Sequence, residues 1–117
     1  MKSVLYFTGN PAGKLDLILS ASADALAVEE SKKGFVNDIV QIADHVRGRC
    51  TLFGNVDPYH VLEMGSADQV RAELRHQREA GQRNGGRFVT CLGSPITPGT
   101  TVQQVQQFCE IAREMAG

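Results

Sequence analysis

Four short runs of apolar residues recur along the chain, and each is followed by a cluster of breaker residues and then by a stretch with helical periodicity. The runs cover Ser3–Thr8, Ala25–Glu29, Cys50–Phe53 and Arg87–Leu92. Near-continuous apolar strands are typical of parallel sheets, because both faces of such a sheet are covered. Strands that alternate with helices also indicate right-handed crossovers. The pattern therefore predicts an α/β fold built from four parallel βα units.

The second helix-like stretch carries the clearest apolar stripe. Its members recur at i, i+4, i+7, i+8 and i+11, which places them on one face of a helix: Phe35, Ile39, Ile42, Ala43 and Val46. Gly48 is predicted to end this helix. Ser66 with Gln69, and Thr101 with Gln104, have the spacing of capping boxes and predict the starts of the last two helices.

Two other stretches give weaker signals. Leu15, Ile18 and Leu19 form a short stripe that predicts a first helix ending at about Ser22. The segment Tyr59–Gly65 is predicted to be short and turn-rich and to precede the third helix.

The spacing of the units suits the modules of a (β/α)8 barrel, and no stretch of the sequence resembles a linker between domains. We therefore expect one domain, residues 1–117, that forms half of a TIM-type barrel and has two open edges. The alternative is an open four-stranded parallel sheet with helices on both faces.

Composition narrows the range of partners. The net charge is −1, and the arginines of Arg71–Arg83 are interleaved with Glu73 and Glu79, so we expect neither a nucleic acid nor a membrane as partner. The three cysteines are an odd number without a C-x-x-C pair, and no apolar run is long enough for a signal peptide or a membrane span. These features predict reduced thiols and a cytoplasmic location.

In a parallel α/β fold, the functional site forms at the carboxyl ends of the strands. Polar side chains that could bind a ligand or take part in a reaction lie at or after the ends of the four predicted strands. They are Tyr6, Thr8 and Asn10; Glu29 and Glu30; Asn55 and Asp57; and Ser94 and Thr97. Thr8, Asn10 and Thr97 are predicted to bind a ligand.

The pentapeptide 54–58, Gly-Asn-Val-Asp-Pro, is the most distinctive of these segments. Asn55 and Asp57 either reach a ligand or form an Asx turn that shapes the loop. Ser94 lies where a strand ends and is a candidate catalytic residue, whereas Thr100 and Thr101 fit the role of a helix cap. The free N–H groups at that helix start favour an anion.

Glu29 and Glu30 are adjacent, so their side chains point to opposite sides of a strand. Only one of the two faces the barrel interior, where a carboxylate could act as an acid, a base or a metal ligand. We name Glu29, together with Ser94 and Tyr6, as the catalytic candidates, and we predict no metal site in this chain. The other glutamate could form an ion pair with Lys32 or Lys33.

Four segments of the chain resemble the uroporphyrinogen decarboxylase superfamily. The first is Leu52–Pro58, which contains the Gly-Asn-Val-Asp-Pro motif. The others are Val61–Val70, which is similar to the family's helix-start pattern, the loop Leu92–Thr100, and the opening segment Leu5–Asn10. The resemblance covers the whole chain but only the C-terminal half of the family's barrel.

The resemblance implies one of two chemistries. The family contains decarboxylases, which act on a tetrapyrrole without a cofactor, and corrinoid-dependent methyltransferases, which use zinc. The decarboxylase histidine matches Ser94 here. The methyltransferase zinc ligands, a His-x-Cys pair and a later cysteine, match Tyr6, Thr8 and Ser94. Because hydroxyls are poor zinc ligands, the usual zinc site is not expected, and the cofactor stays open.

Because the chain resembles only half of the family's barrel, we expect it to carry only half of the active site. The first hypothesis is a fragment or subunit of a methyltransferase-like or decarboxylase-like enzyme whose partner is the missing N-terminal half-barrel. The second is a non-catalytic homo-oligomer, in which a second copy closes the barrel around a carboxylated or phosphorylated ligand. The third is a phosphate-binding half-barrel that uses the last two loops.

Overall fold

The computed structural model describes residues 1–116. The elements, in chain order, are β1 (Val4–Phe7), α1 (Leu15–Leu19), β2 (Ala25–Val28), α2 (Ile39–Val46), β3 (Thr51–Phe53), a π-helix (Pro58–Glu63), α3 (Ala67–Arg83), β4 (Phe88–Val89) and α4 (Val102–Ala116). Each strand is followed by a helix, as predicted.

The strands form one sheet in the order β1-β2-β3-β4, and all three neighbouring pairs are parallel. The register aligns Leu5 with Leu26, Leu26 with Leu52, and Leu52 with Phe88. This topology confirms the predicted α/β fold with four parallel βα units. Within residues 1–116, no further strand pairs with the outer sides of β1 and β4.

One face of the sheet forms the main core. The row Leu5, Leu26, Leu52 and Phe88 contributes to a cluster that also contains the buried stripe of α2. Leu52 and Ala43 are both fully buried. These apolar rows form the larger of the two buried clusters. Each fully buried aliphatic side chain in it stabilises the fold by about 1.5–3 kcal/mol.

The opposite face of the sheet is much less covered. Its row consists of Tyr6, Ala27, Phe53 and Val89, which are aligned across the four strands. None of these residues belongs to either apolar cluster, and Tyr6 and Val89 are 50% and 40% exposed. We call this row and its neighbours Val4 and Thr51 the inner face, because in a closed barrel it would point to the interior.

A second, smaller core joins the last two helices. Val70 and Leu74 of α3 pack with Ile111 of α4, and half-buried Phe108 and Met115 complete the cluster. Both predicted capping boxes are present. In each, the hydroxyl accepts from the glutamine N–H while the glutamine side chain accepts from the backbone N–H of the capping residue.

Two helix boundaries differ from the prediction. Helix α2 begins at Ile39 because Asp38 caps it and accepts from the Val40 N–H, so Phe35 lies outside the helix in a bridge with Lys32. Helix α1 ends at Leu19 rather than near Ser22, whose φ is +57°.

The segment after β3, which was predicted to be turn-rich, contains a π-helix, Pro58–Glu63. Asp57 makes this possible, since its carboxylate accepts from the backbone N–H groups of Tyr59 and His60 at 2.9 Å each. Strand β4 is shorter than predicted, and a bridge between Val56 and Leu92 continues its pairing. Within residues 1–116, no helix has the length and apolar character that a membrane span requires.

Candidate functional site

The loop after β4 crosses the carboxyl ends of the other strands. The Gly93 N–H donates to the Val56 carbonyl at 2.9 Å, and the Tyr6 hydroxyl donates to the Gly93 carbonyl at 2.6 Å. A Cβ at position 93 would lie 2.3 Å from the Glu30 nitrogen, so only glycine fits this close approach. The ends of β1, β2 and β4 are therefore held together around this glycine.

Ser94 lies against a buried carboxylate. Its hydroxyl is 3.0 and 2.9 Å from the two oxygens of Glu30, which is 5% exposed. The Lys32 ammonium donates to Glu30 and lies 3.4 Å from the Ser94 oxygen. The hydrogen bond from this ammonium to Glu30 raises the pKa of Lys32, which keeps the lysine charged. We call Tyr6, Gly93, Ser94, Glu30 and Lys32 the strand-end cluster.

Glu29 occupies a different position from Glu30, as their adjacency on a strand requires. The Glu29 carboxylate accepts from the Gly9 N–H at 2.7 Å, so it holds the loop after β1. Asn10 lies in that loop, where its side chain accepts from the Ala12 N–H at 3.0 Å in an Asx turn. Thr8 is exposed at the end of β1.

Asn55 is buried and lies at the centre of a polar network. Its amide donates to the carbonyls of Glu29, at 3.1 Å, and Asn37, at 2.9 Å. Its oxygen accepts from Gln77 at 3.1 Å, and Gln77 also donates to Glu73 at 2.7 Å. Because each polar atom of the Asn55 side chain has a partner, the residue fixes the positions of two loops. Asn55 therefore bonds other segments of the chain and does not form a local Asx turn, while its contact with a ligand stays a prediction.

Asp57 and Thr97 point to other partners. Burial alone would raise the pKa of Asp57, but its hydrogen bonds from His60 and Tyr59 outweigh this and the pKa lies below its usual value. The Thr97 hydroxyl donates to Glu63 at 2.6 Å and lies 2.8 Å from the Thr100 hydroxyl. Thr97 thus fastens the last loop to the π-helix.

The structure places the Tyr6 hydroxyl against Gly93, the neighbour of Ser94, and places Glu30, rather than Glu29, beside Ser94. The predicted ion pair between a glutamate and Lys32 or Lys33 is formed by Glu30 and Lys32, although its position beside Ser94 was not predicted. Sequence reasoning missed Gln77, which looks like any polar residue of an exposed helix. The catalytic and ligand-binding roles stay predictions.

Zinc does not suit the side chains present at the positions that match the methyltransferase ligands. Tyr6, Thr8 and Ser94 offer hydroxyls, and zinc in proteins takes thiolate, imidazole or carboxylate. Within residues 1–116, no group of three His, Cys, Asp or Glu side chains is arranged to hold a metal ion.

Comparison with known proteins identifies the family. The sequence profile of uroporphyrinogen decarboxylase (URO-D) matches residues 1–115. No curated protein matches the chain. Among solved structures, a methyltransferase from Methanosarcina mazei is similar, with a TM-score of 0.78 and 25% sequence identity. The match covers 99% of this chain but 32% of the methyltransferase, in agreement with the prediction of half a TIM-type barrel. The chain belongs to the uroporphyrinogen decarboxylase family.

Proposed function

We propose that this chain supplies the C-terminal half of the active-site barrel of a methyltransferase-like or decarboxylase-like enzyme that acts with a corrinoid or a tetrapyrrole. The observation that carries the proposal is the strand-end cluster beside an uncovered inner face. In (β/α)8 enzymes, the active site lies at the carboxyl ends of the strands. Here the chain supplies the carboxyl ends of four strands, while the other four strands of the barrel would come from another polypeptide segment.

In the proposed enzyme, Tyr6 and Ser94 present hydroxyls at the mouth of the barrel. Tyr6 fixes the last loop through Gly93, and Ser94 is oriented by the Glu30 carboxylate. Glu29, half-buried and held by the Gly9 N–H, is the predicted acid or base on the side of β1. Asn55 holds the loops that carry these groups.

A fusion tests this proposal. The part of the Methanosarcina methyltransferase that this chain does not match would be joined to Met1, and binding of uroporphyrin and of hydroxocobalamin would be followed by absorbance. We expect the fusion to bind one of the two, with a double Ser94→Ala, Tyr6→Phe variant weakened about tenfold or more, which corresponds to about 1.4 kcal/mol. A folded fusion that binds neither compound would refute the proposal.

A second candidate function is supported by the symmetry of the open edges. Strands β1 and β4 are both unpaired on their outer sides, and two copies would give the eight strands of a closed barrel. In that case, the chain is a non-catalytic homodimer that binds a carboxylated or phosphorylated ligand. Light scattering separates the two, because a homodimer has twice the 12.7 kDa mass of the chain. A monomer at micromolar concentration would exclude self-closure.

A further inference from the structure

We propose an oxyanion-binding site on the rim of the sheet, beside the strand-end cluster. Its walls are the loop after β2, which carries Lys32 and Lys33, and the start of the π-helix, which carries Tyr59 and His60. This proposal goes beyond the proposed function, because all four residues belong to the chain itself and the site does not require closure of the barrel.

The two loops enclose a cavity of about 590 Å³. The lining residues that bear charge or a polar group on an aromatic ring are Glu30, Lys32, Lys33, Asp57, Tyr59 and His60. The Tyr59 and His60 rings meet edge to face, with their centroids 4.9 Å apart, so they form one wall. The cavity is large enough for a small polyanion such as phosphate or a tricarboxylate.

Both carboxylates of the cavity already have donors within the protein. Glu30 accepts from Lys32 and from the Ser94 hydroxyl. Asp57 accepts from two backbone N–H groups at 2.9 Å and lies 2.8 Å from the Nδ1 atom of His60. Because an ionised carboxylate is only an acceptor, these contacts use much of the acceptor capacity of the walls.

Donors, by contrast, are left over. An ammonium group has three protons, and Lys32 directs its contacts to Glu30 and Ser94 only. Lys33 makes no ion pair or side-chain hydrogen bond within residues 1–116. The Tyr59 hydroxyl adds another donor at the wall. A surplus of donors over free acceptors favours a ligand with several acceptor oxygens.

The ligand class follows from the donor types. Lysines act as point charges and do not impose the planar fork of a guanidinium, so the site suits a tetrahedral phosphate and a carboxylate alike. Lys32 is the inner contact because Glu30 fixes it, and Lys33 is the outer one. We expect millimolar or tighter binding, since the open cavity leaves the anion partly hydrated.

Titration with inorganic phosphate and, separately, with citrate tests the site. Chemical shifts of the backbone amides would be followed at constant ionic strength, with chloride replacing the anion in the reference. We expect saturable shifts at Lys32, Lys33, Tyr59 and His60 with at least one of the anions. Lys33→Met should weaken binding about fivefold to tenfold and Lys33→Glu should abolish it, whereas Lys2→Met, at the far end of β1, should leave it unchanged.

Each outcome decides the question. Saturation by phosphate alone or by citrate alone supports the site and identifies which oxyanion it prefers. Shifts that fail to saturate with both anions, or binding that Lys2→Met weakens as much as Lys33→Met does, would overturn the proposal. Since Lys33 is exposed, its substitution is not expected to unfold the chain. Failure here would not affect the fusion experiment, which measures tetrapyrrole or corrinoid binding.

Discussion

The two faces of the sheet differ in how completely the chain covers them. On the helix side, Leu26 and Leu52 are 2% and 0% exposed, whereas Tyr6 and Val89 on the inner face are 50% and 40% exposed. Parallel strands are usually covered on both faces, and the apolar runs in this sequence fit that rule. The difference shows that the helix side carries a complete core, whereas the inner face is covered only in part, with Ala27 and Phe53 half-buried between the exposed edge residues. We proposed above that a second half-barrel covers this face.

The largest effect should come from changing Tyr6 of the inner face together with Thr8 and Ser94, the positions that the family resemblance matches to the methyltransferase zinc ligands. The triple variant Tyr6→His, Thr8→Cys, Ser94→Cys places an imidazole and two thiols there, and residues two apart in an extended segment point to the same side. We expect one zinc per chain with a micromolar or lower dissociation constant, about 8 kcal/mol of binding free energy. Metal analysis after dialysis measures it.

The single variant Ser94→Cys is the matched control and should retain no zinc, because one new thiol cannot complete a site. A folded triple variant without zinc would show that these three positions do not converge, and that the family correspondence at the strand ends is wrong.

A comparison of truncations on the two faces should give the next effect. Leu52→Ala leaves a cavity in the main core and should lower the free energy of unfolding by about 3 kcal/mol. Val89→Ala on the inner face should cost less than about 1 kcal/mol, since its side chain is already hydrated. Urea denaturation monitored by circular dichroism gives both values. Equal losses would mean that the inner face is covered in solution.

The third largest effect should come from removing a member of the buried polar network around Asn55. Asn55→Ala removes the donor to the Asn37 carbonyl and one of the partners of the Glu29 carbonyl and of the Gln77 amide, which should cost about 2 kcal/mol. Asn10→Ala removes only an exposed Asx turn and should cost under about 0.5 kcal/mol. The same denaturation series measures both, and a neutral Asn55→Ala variant would contradict the assigned role of this network.

The smallest effect concerns pH. Burial would raise the pKa of Asp38, but its hydrogen bonds from His76 and from the Val40 N–H outweigh this and lower it. A carboxyl whose pKa is lower in the folded state stabilises the fold above its unfolded pKa, about 3.9, and loses that contribution as the pH falls through the folded pKa. The contribution of Asp38 to the free energy of unfolding should therefore be complete above about pH 4 and decline below it.

In the Asp38→Asn variant, the decline of the free energy of unfolding at low pH should be shallower, whereas Glu110→Gln on the exposed side of α4 should behave like the parent chain. Denaturation curves at several pH values test this. An Asp38→Asn variant with the full acid response would show that the pair with His76 does not contribute.

The order of strands and helices was predictable because each apolar run and each helical stripe is a local pattern. Which face of the sheet is covered was not predictable, since the strands are apolar on both faces. Leu5 and Tyr6 both suit a buried strand position, and only the packing of α2 against the Leu5 side distinguishes them. The sequence also did not reveal which of Glu29 and Glu30 lies beside Ser94, because this depends on how the distant Gly93 loop crosses the end of β2. Phe35 fits the helical period of the apolar stripe, but Asp38 caps the N-terminus of α2, so the helix begins after Phe35.

Amide hydrogen exchange tests the central claim most directly, because a parallel ladder leaves alternate N–H groups of an edge strand unpaired. The Ser3 carbonyl and the Val89 carbonyl bond inward, so the N–H groups of Tyr6 and Thr90 face outward. If another half-barrel covers the inner face, these amides exchange rapidly in the monomeric chain and become strongly protected in the closed fusion. Protection of both in the isolated monomer, or rapid exchange of both in a folded fusion, would contradict the account.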